Sequence, residues 1–353
     1  EPRPTHSWPA AVAAPIVAIA LTLLAGGVLF ALIGRDPVEA LATYFFEPLT
    51  DAWALQEIVV KATPLALIAL GLSLCFLSNN WNIGAEGQFV VGAICGGGIA
   101  VAVQGTEAGG WVLPAMILAG MIGGAAYALL PAVLKVRFGA SEILTSLMLV
   151  YIAELLLDYL VRGPWRDPQG FNFPTTAPFE DAAIMPLLIE GSRVHWGAAV
   201  ALVGALVMTA MLGRTLSGFK IILVGQAPRA GRFAGFSDKR LVLTTFALSG
   251  ALAGLAGVME VAGPIGQLQP DISPGYGFTA IIVALLGRLH PIGIGAAALF
   301  LALTFIGGES AQITLKVPLD LTLVFQGILL FFVLACDTLV VYRLRIVKRS
   351  TTS

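Results

Sequence analysis

Apolar residues run along this chain in blocks, not in alternation. Blocks long enough to span about 30 Å of hydrocarbon cover residues 10–33, 63–80, 88–104, 111–134, 141–161, 194–213, 241–262 and 321–342. Between 276 and 308 the block is cut by GRLHPIG at 287–293, where Gly287, Arg288, His290 and Pro291 divide it into two short, tilted or re-entrant segments, 276–287 and 292–308. The pattern predicts an all-α polytopic membrane protein with about ten transmembrane segments, some of them broken or re-entrant. The first block exceeds the 7–15 residues of a secretory h-region and shows no A-x-A site, so residues 1–34 are expected to form an anchor helix that stays.

Composition agrees with this picture. The 353 residues are 58% hydrophobic and 12% charged, against about 25% charged in a soluble domain. The 40 glycines suit helices whose backbones approach closely in lipid. Cys75, Cys95 and Cys336 all lie in apolar runs and lack metal-ligand spacing, and a net charge of -1 gives no footprint for nucleic acid. Ten crossings that start inside place both termini in the cytoplasm. Fourteen of the twenty Lys and Arg residues then fall on inner segments, including Lys135, Arg137 and six between 214 and 240, as the positive-inside rule requires.

Two polar excursions stand out. Residues 162–193 are rich in Pro, Gly and aromatics, which predicts an ordered extracytoplasmic cap or docking surface. Residues 214–240 carry six basic residues and the run GQAPRAGRFAGFSDKR, too short for a catalytic domain. The chain has no GxxxxGK[ST] and therefore no phosphate cradle of its own. His6, His195 and His290 are scattered, with no HExxH, so no metal, cofactor or catalytic residue is expected.

The remaining chemistry lies in carboxylates within or beside the apolar blocks: Glu86, Glu142, Glu154, Asp158, Glu260 and Asp337. A charge at membrane depth costs about 2.5–3.5 kcal/mol on insertion scales. Glu154 and Asp158, one turn apart, read as an interfacial solvated face, and so does Asp337. Glu260, at a helix end, fits either role. Glu86 and Glu142 each follow a helix-breaking stretch (Asn79, Asn80, Asn82, Gly84; Gly139, Ala140, Ser141), so each sits in a first turn, where an acid is favourable by about 0.3–1 kcal/mol. Their expected role is either architectural or part of a solute pathway.

NIGAEGQF (82–89), SEILTSLMLVYIAELL (141–156), GQAPRAGRFAGF (225–236) and SPGYGFTAIIVALLGRLHPIG (273–293), taken in this order, resemble the permease subunits of bacterial ABC importers of the branched-chain amino acid, ribose and nucleoside group. The resemblance covers nearly the whole chain after the first helix. It implies a single permease domain over 1–353 in the bacterial inner membrane. It further implies a second permease subunit, homologous or identical, two cytoplasmic ATPase subunits, an extracytoplasmic solute-binding protein, and contact with membrane lipid and a small-molecule solute. The family's coupling loop, of the form G-x-N-P-x-A-A-x-x-A-G, corresponds here to residues 225–235. It matches at Gly225, Pro228, Ala230, Ala234 and Gly235 and departs at Ala227 and Gly231. Within that loop Arg229, Arg232 and Phe233, together with Phe236 just after it, offer charge and an apolar anchor to an ATPase.

The NIGAEGQ form is similar to the nucleoside-uptake branch, whereas sugar permeases tend to carry a D-L-S-V-G-S type sequence there. A hydroxylated solute with a heterocyclic face suits amide and aromatic groups. The expected path residues are therefore Trp81, Asn82, Glu86, Gln88, Phe89 and Glu142, with Tyr276 and Phe278 from the second half. The resemblance thus implies a non-enzymatic transport subunit that moves a nucleoside or related sugar-containing solute. The alternatives are an ion-coupled secondary transporter that uses Glu86 or Glu142, and a membrane-embedded enzyme.

Overall fold

The computed structural model describes residues 8–106, 109–318 and 320–341, with side chains between 13 and 336. Arg3, His6, the side chain of Asp337, the cations from Arg343 onward and both termini, expected in the cytoplasm, lie outside the described residues. Fourteen helices form: α1 (Trp8–Leu32), α2 (Pro37–Phe45), α3 (Glu47–Thr50), α4 (Ala52–Leu77), α5 (Ala85–Ala102), α6 (Val112–Phe138), α7 (Glu142–Arg162), α8 (Gly197–Arg214), α9 (Leu216–Gln226), α10 (Pro228–Phe233), α11 (Asp238–Glu260), α12 (Tyr276–Leu286), α13 (Pro291–Leu315) and α14 (Leu321–Val341). A π-helical turn at Val261–Ile265 extends α11. No strand forms among the described residues beyond one antiparallel bridge, Leu187 to His195.

Eight helices, α1, α4, α5, α6, α7, α8, α11 and α13, are long and apolar enough to cross a membrane. The ten expected segments are these eight together with α12 and α14. The break expected near 287–293 is real, because Arg288 and Leu289 both take a positive φ, at 54° and 57°. One of its two sides is the short segment expected, and the other is not. The 11 residues of α12 rise about 16 Å, too little to cross. The segment after Pro291 is not short but a 25-residue helix. α4 also begins at Ala52, well before the apolar block, because Glu57 finds an ion pair with Arg193 (2.6 Å, without aligned hydrogen-bond geometry).

The chain divides into two compact units. In the first, residues 1–51 with 303–353, α1 packs along α14 and an aromatic core forms from Phe30, Tyr44, Phe45 and Phe325. The Tyr44 and Phe325 rings stack with centroids 5.0 Å apart, and the Tyr44 hydroxyl donates to Thr322 Oγ1 at 3.1 Å.

In the second unit, residues 52–302, α5, α6 and α11 meet backbone to backbone. Gly92 lies against Gly254, Gly120 and Gly124 lie against Gly254, and Gly250 lies against Gly124. A Cβ at Gly254 would overlap the Gly120 carbonyl oxygen. In lipid, where no hydrophobic force pulls helices together, this close fit supplies the van der Waals attraction instead.

Over one end of this unit the 162–196 segment folds as a cap. Thr176 N–H donates to Leu268 O at 3.0 Å, Phe179 N–H to Gly266 O at 2.7 Å and Met185 N–H to Ala262 O at 2.7 Å. The cap closes on His195, which is 3% exposed; its Nδ1 accepts the Gly197 N–H at 3.1 Å and its ring lies against Gly263. Burial pushes its pKa down to about 4 from an ordinary value near 6.5.

Two outcomes are expected. Gly254→Val overpacks the crossing and destabilises by about 1–3 kcal/mol or more, read as a lower melting temperature in detergent, whereas Gly213→Ala, where a Cβ meets open space, leaves it unchanged; equal melting of both would refute the close-packing account. His195 is neutral in the folded cap, so the unfolded chain binds more protons between pH 4 and 6.5. Cap stability is therefore full above about pH 6.5 and falls as pH drops toward 4. Hydrogen-exchange protection factors over 176–196, which remove the intrinsic pH dependence of exchange, should fall as pH drops across that window, and His195→Gln should flatten the slope.

Candidate functional site

The stretch that separates α4 from α5 builds the site. α4 ends at Leu77, Asn79 takes φ 55°, and five residues of irregular backbone lead to α5. Such backbone at membrane depth must find partners inside the protein. Asn82 supplies one of them and ties the break to its surroundings. Its Nδ2 donates to Gln88 Oε1 (3.0 Å) and Ser249 Oγ (3.1 Å), while its Oδ1 accepts from Gln88 Nε2 (2.9 Å) and Gly84 N–H (3.1 Å). Ile83 N–H donates to Ser146 Oγ at 3.2 Å.

A second anchor holds the start of the break. Lys135 Nζ donates to Asn80 Oδ1 at 2.7 Å and pairs with Glu142 at 2.5 Å, and the Trp81 N–H reaches Glu142 Oε1 at 3.5 Å. Glu142 is thus a structural clamp between α6, α7 and the break.

Glu86 points the other way. It is 3% exposed and lies in the first turn of α5. Its carboxylate accepts the Gly277 N–H, 191 residues away, at the start of α12, and the Ser273 hydroxyl also reaches it. Ser273 in turn caps α12, because its Oγ accepts the N–H groups of Gly275 (3.1 Å) and Tyr276 (2.9 Å). One carboxylate therefore sits where two helix N-termini meet, and each contributes about half a positive elementary charge. Gly277 makes this possible, since a Cβ there would collide with the Glu86 backbone. Beside it, Phe89 and Tyr276 pack edge to face at 6.0 Å, and the Tyr276 hydroxyl donates to the buried Glu260 at 3.5 Å.

Glu86 also lines a cleft of about 430 Å³ with Tyr151, Glu154 and Asp158 of α7 and with Asp271 and Ser273. Of the expected path residues only Glu86 reaches it. Asn82 and Gln88 are buried and satisfy each other, Phe89 and Tyr276 are core, Trp81 packs on Phe76 at 4.9 Å, and Glu142 is held by Lys135. Phe278, 40% exposed, is not among the cleft residues. Asp158 pairs with Arg162 at 2.6 Å, and Glu154 is exposed. The residues that sequence reading missed are Asp271, Ser273, Gly277 and Tyr151. The signal for the first three was their place in a Pro- and Gly-rich stretch before an apolar run, and for Ser273 and Gly277 also their place in the string 273–293.

The basic excursion is two short helices. In α9, Gly225 packs so tightly on the end of α4 that a Cβ would overlap Leu77 O. α10 begins at Pro228, whose missing N–H costs nothing in a first turn, and ends at Phe233, two residues before Gly235 with φ 81°. Arg229, Ala230, Arg232, Phe233 and Ala234 are all exposed, Phe233 to 97%. Arg232 pairs with Asp238 at 3.4 Å. Phe236 corrects the expectation of two anchors. It turns inward, edge to face on Phe219 at 6.5 Å and beneath the Lys220 ammonium at 5.2 Å.

Residues 54–334 match the family described as branched-chain amino acid transport system / permease component. The glucose ABC transporter permease protein of Haloferax volcanii is 37% identical over 98% of this chain and 93% of its own length. The guanosine ABC transporter permease protein of Bacillus subtilis is 29% identical over 90% and 92%, and the nucleoside ABC transporter permease protein of Lactococcus lactis 28% over 91% and 90%. The matched range contains the Glu86 junction, the cleft and α10 alike, and the chain belongs to this permease family as a multi-pass transmembrane component of an ABC transporter.

Proposed function

We propose that the chain is the transmembrane subunit of an ATP-driven importer that carries a nucleoside or related sugar-containing solute across a bacterial inner membrane. Its proposed partners are separate cytoplasmic ATPase subunits, a second permease subunit and an extracytoplasmic binding protein. The observation that carries the reading is α10. A six-residue helix with a phenyl ring 97% exposed beside Arg229 is a ready contact for a soluble partner, since interface hot spots favour aromatic and Arg side chains.

Gly225 transmits what α10 feels. It seats α9 directly on the end of α4, which also packs on α12, the helix that Glu86 holds. A push on α10 therefore reaches the Glu86 junction through packed backbone, as rigid-body gating requires. The substrate class is supported by the cleft. Its carboxylates accept hydrogen bonds and donate none when ionised, which suits a solute rich in hydroxyl and N–H donors. The three relatives named for glucose, guanosine and nucleoside transport point the same way. Glu154, 13 residues into α7 and exposed, lies about 18 Å along it. That depth is too costly for a lipid-facing carboxylate and fits a water-filled path. Family membership sets aside the ion-coupled and enzymatic alternatives.

Two measurements test this in proteoliposomes reconstituted with the ATPase subunits and binding protein. Phe233→Asp should weaken ATPase association roughly 30-fold, the equivalent of about 2 kcal/mol for a hot spot, and lower ATP-driven nucleoside uptake in parallel; unchanged uptake with normal association removes α10 from the coupling role. Glu86→Gln keeps an acceptor for the Gly277 N–H but loses its charge. It should give a folded protein with stability reduced by about 0.3–2 kcal/mol and uptake clearly slowed. Normal uptake would leave Glu86 with architecture alone.

A further inference from the structure

Apart from the solute cleft, the second unit contains a crevice of about 460 Å³ between α8, α9 and the start of α11. Its walls are apolar: Met211, Ile221, Val224, Leu241 and Leu248. Lys220 and Arg240 line it as well, and no acidic residue does. Among the described residues neither cation forms an ion pair; the nearby Asp238 is engaged by Arg232. The crevice lies where α8 ends at Arg214 and α11 begins at Asp238, at the border of two membrane-crossing helices. This is also the side where six cations cluster between 214 and 240.

We propose that this crevice is a binding site for an anionic phospholipid, its headgroup phosphate held by Lys220 and Arg240 and one acyl chain laid along Met211, Ile221, Val224 and Leu248. Charge complementarity selects the headgroup, since basic pockets between helices at a membrane surface attract anionic lipids. The apolar walls select a lipid over a soluble anion, which would leave them wet. The volume is in the range of small-molecule sites, about 300–1,000 Å³. Ser217 and Ser237, also in the lining, supply hydroxyl donors to the same phosphate. Phe236, which forms part of the wall and carries Lys220 above its ring, lies three residues past the end of α10. An occupying lipid therefore steadies the segment that leads out of α10. The lipid site itself rests on membrane embedding and not on the coupling reading.

The test is native mass spectrometry of the full chain purified in detergent, titrated with phosphatidylglycerol and with phosphatidylcholine of the same acyl chains. Phosphatidylglycerol should be preferred. Each cation near an anionic headgroup contributes roughly a 5-fold affinity change, so Lys220→Gln with Arg240→Gln should reduce the preference about 25-fold. Lys239→Gln, outside the crevice, should leave it intact. Thr244→Trp fills the crevice while keeping both cations and should also abolish retention, which decides the matter if the double variant does not fold. Equal retention of the two lipids, an equal loss in Lys239→Gln, or displacement of phosphatidylglycerol by inorganic phosphate alone would overturn the proposal. So would loss of lipid on assembly with the ATPase, which would mark the crevice as a polypeptide contact.

Discussion

A single carboxylate shared by two helix N-termini organises the second unit. Neither α5 nor α12 carries a side-chain cap at its own preceding residue, and both begin inside the protein, where water cannot satisfy the free N–H groups. Glu86 lies in the first turn of α5, and its carboxylate accepts the Gly277 N–H of α12, whose start Ser273 also caps. The desolvation that makes an acid expensive in a membrane is reduced here, not cancelled, by two dipoles of the right sign and by hydrogen bonds from Gly277 and Ser273. The short helix α12 thus keeps its position without the length to span anything.

Around that junction the polar residues divide into two sets with different work. Asn82, Gln88 and Ser249 turn inward and close a buried network with every partner supplied, the condition under which such networks lend rigidity and not cost. Glu154, Asp158 and Asp271 turn toward the cleft. Glu86 lines the cleft and also accepts the Gly277 N–H of α12. A change in the position of α12 is therefore felt at the cleft wall through one side chain.

The broad architecture was legible because apolar blocks of span length leave few alternatives. Helix existence followed from them, and so did the break at Arg288–Leu289. What hydropathy missed were helices lengthened by paired charges: α4 was cut short because Glu57 and Lys61 look like loop residues until Arg193, 136 positions from Glu57, is seen beside it. The site was legible only in part. Glu86 stood out by cost alone. The Asn82 to Gln88 pairing is local and invisible to pattern, since an amide that completes a network and one that greets a solute read the same. Gly277 and Ser273 meet Glu86 only through the tertiary fold.

The glycine crossing of α5, α6 and α11 carries a further consequence for how this protein can diverge. In a side-chain core an enlarged residue is accommodated when a neighbour shrinks, so paired changes keep a family viable. Where Gly254 faces Gly92, Gly120 and Gly124, every neighbour is already the smallest residue, and nothing is left to trim. Variation at Gly92, Gly124 and Gly254 has no side chain to trim in compensation, Gly120 retains one in Val258, and the lipid-facing sides of the same helices accept almost any apolar exchange.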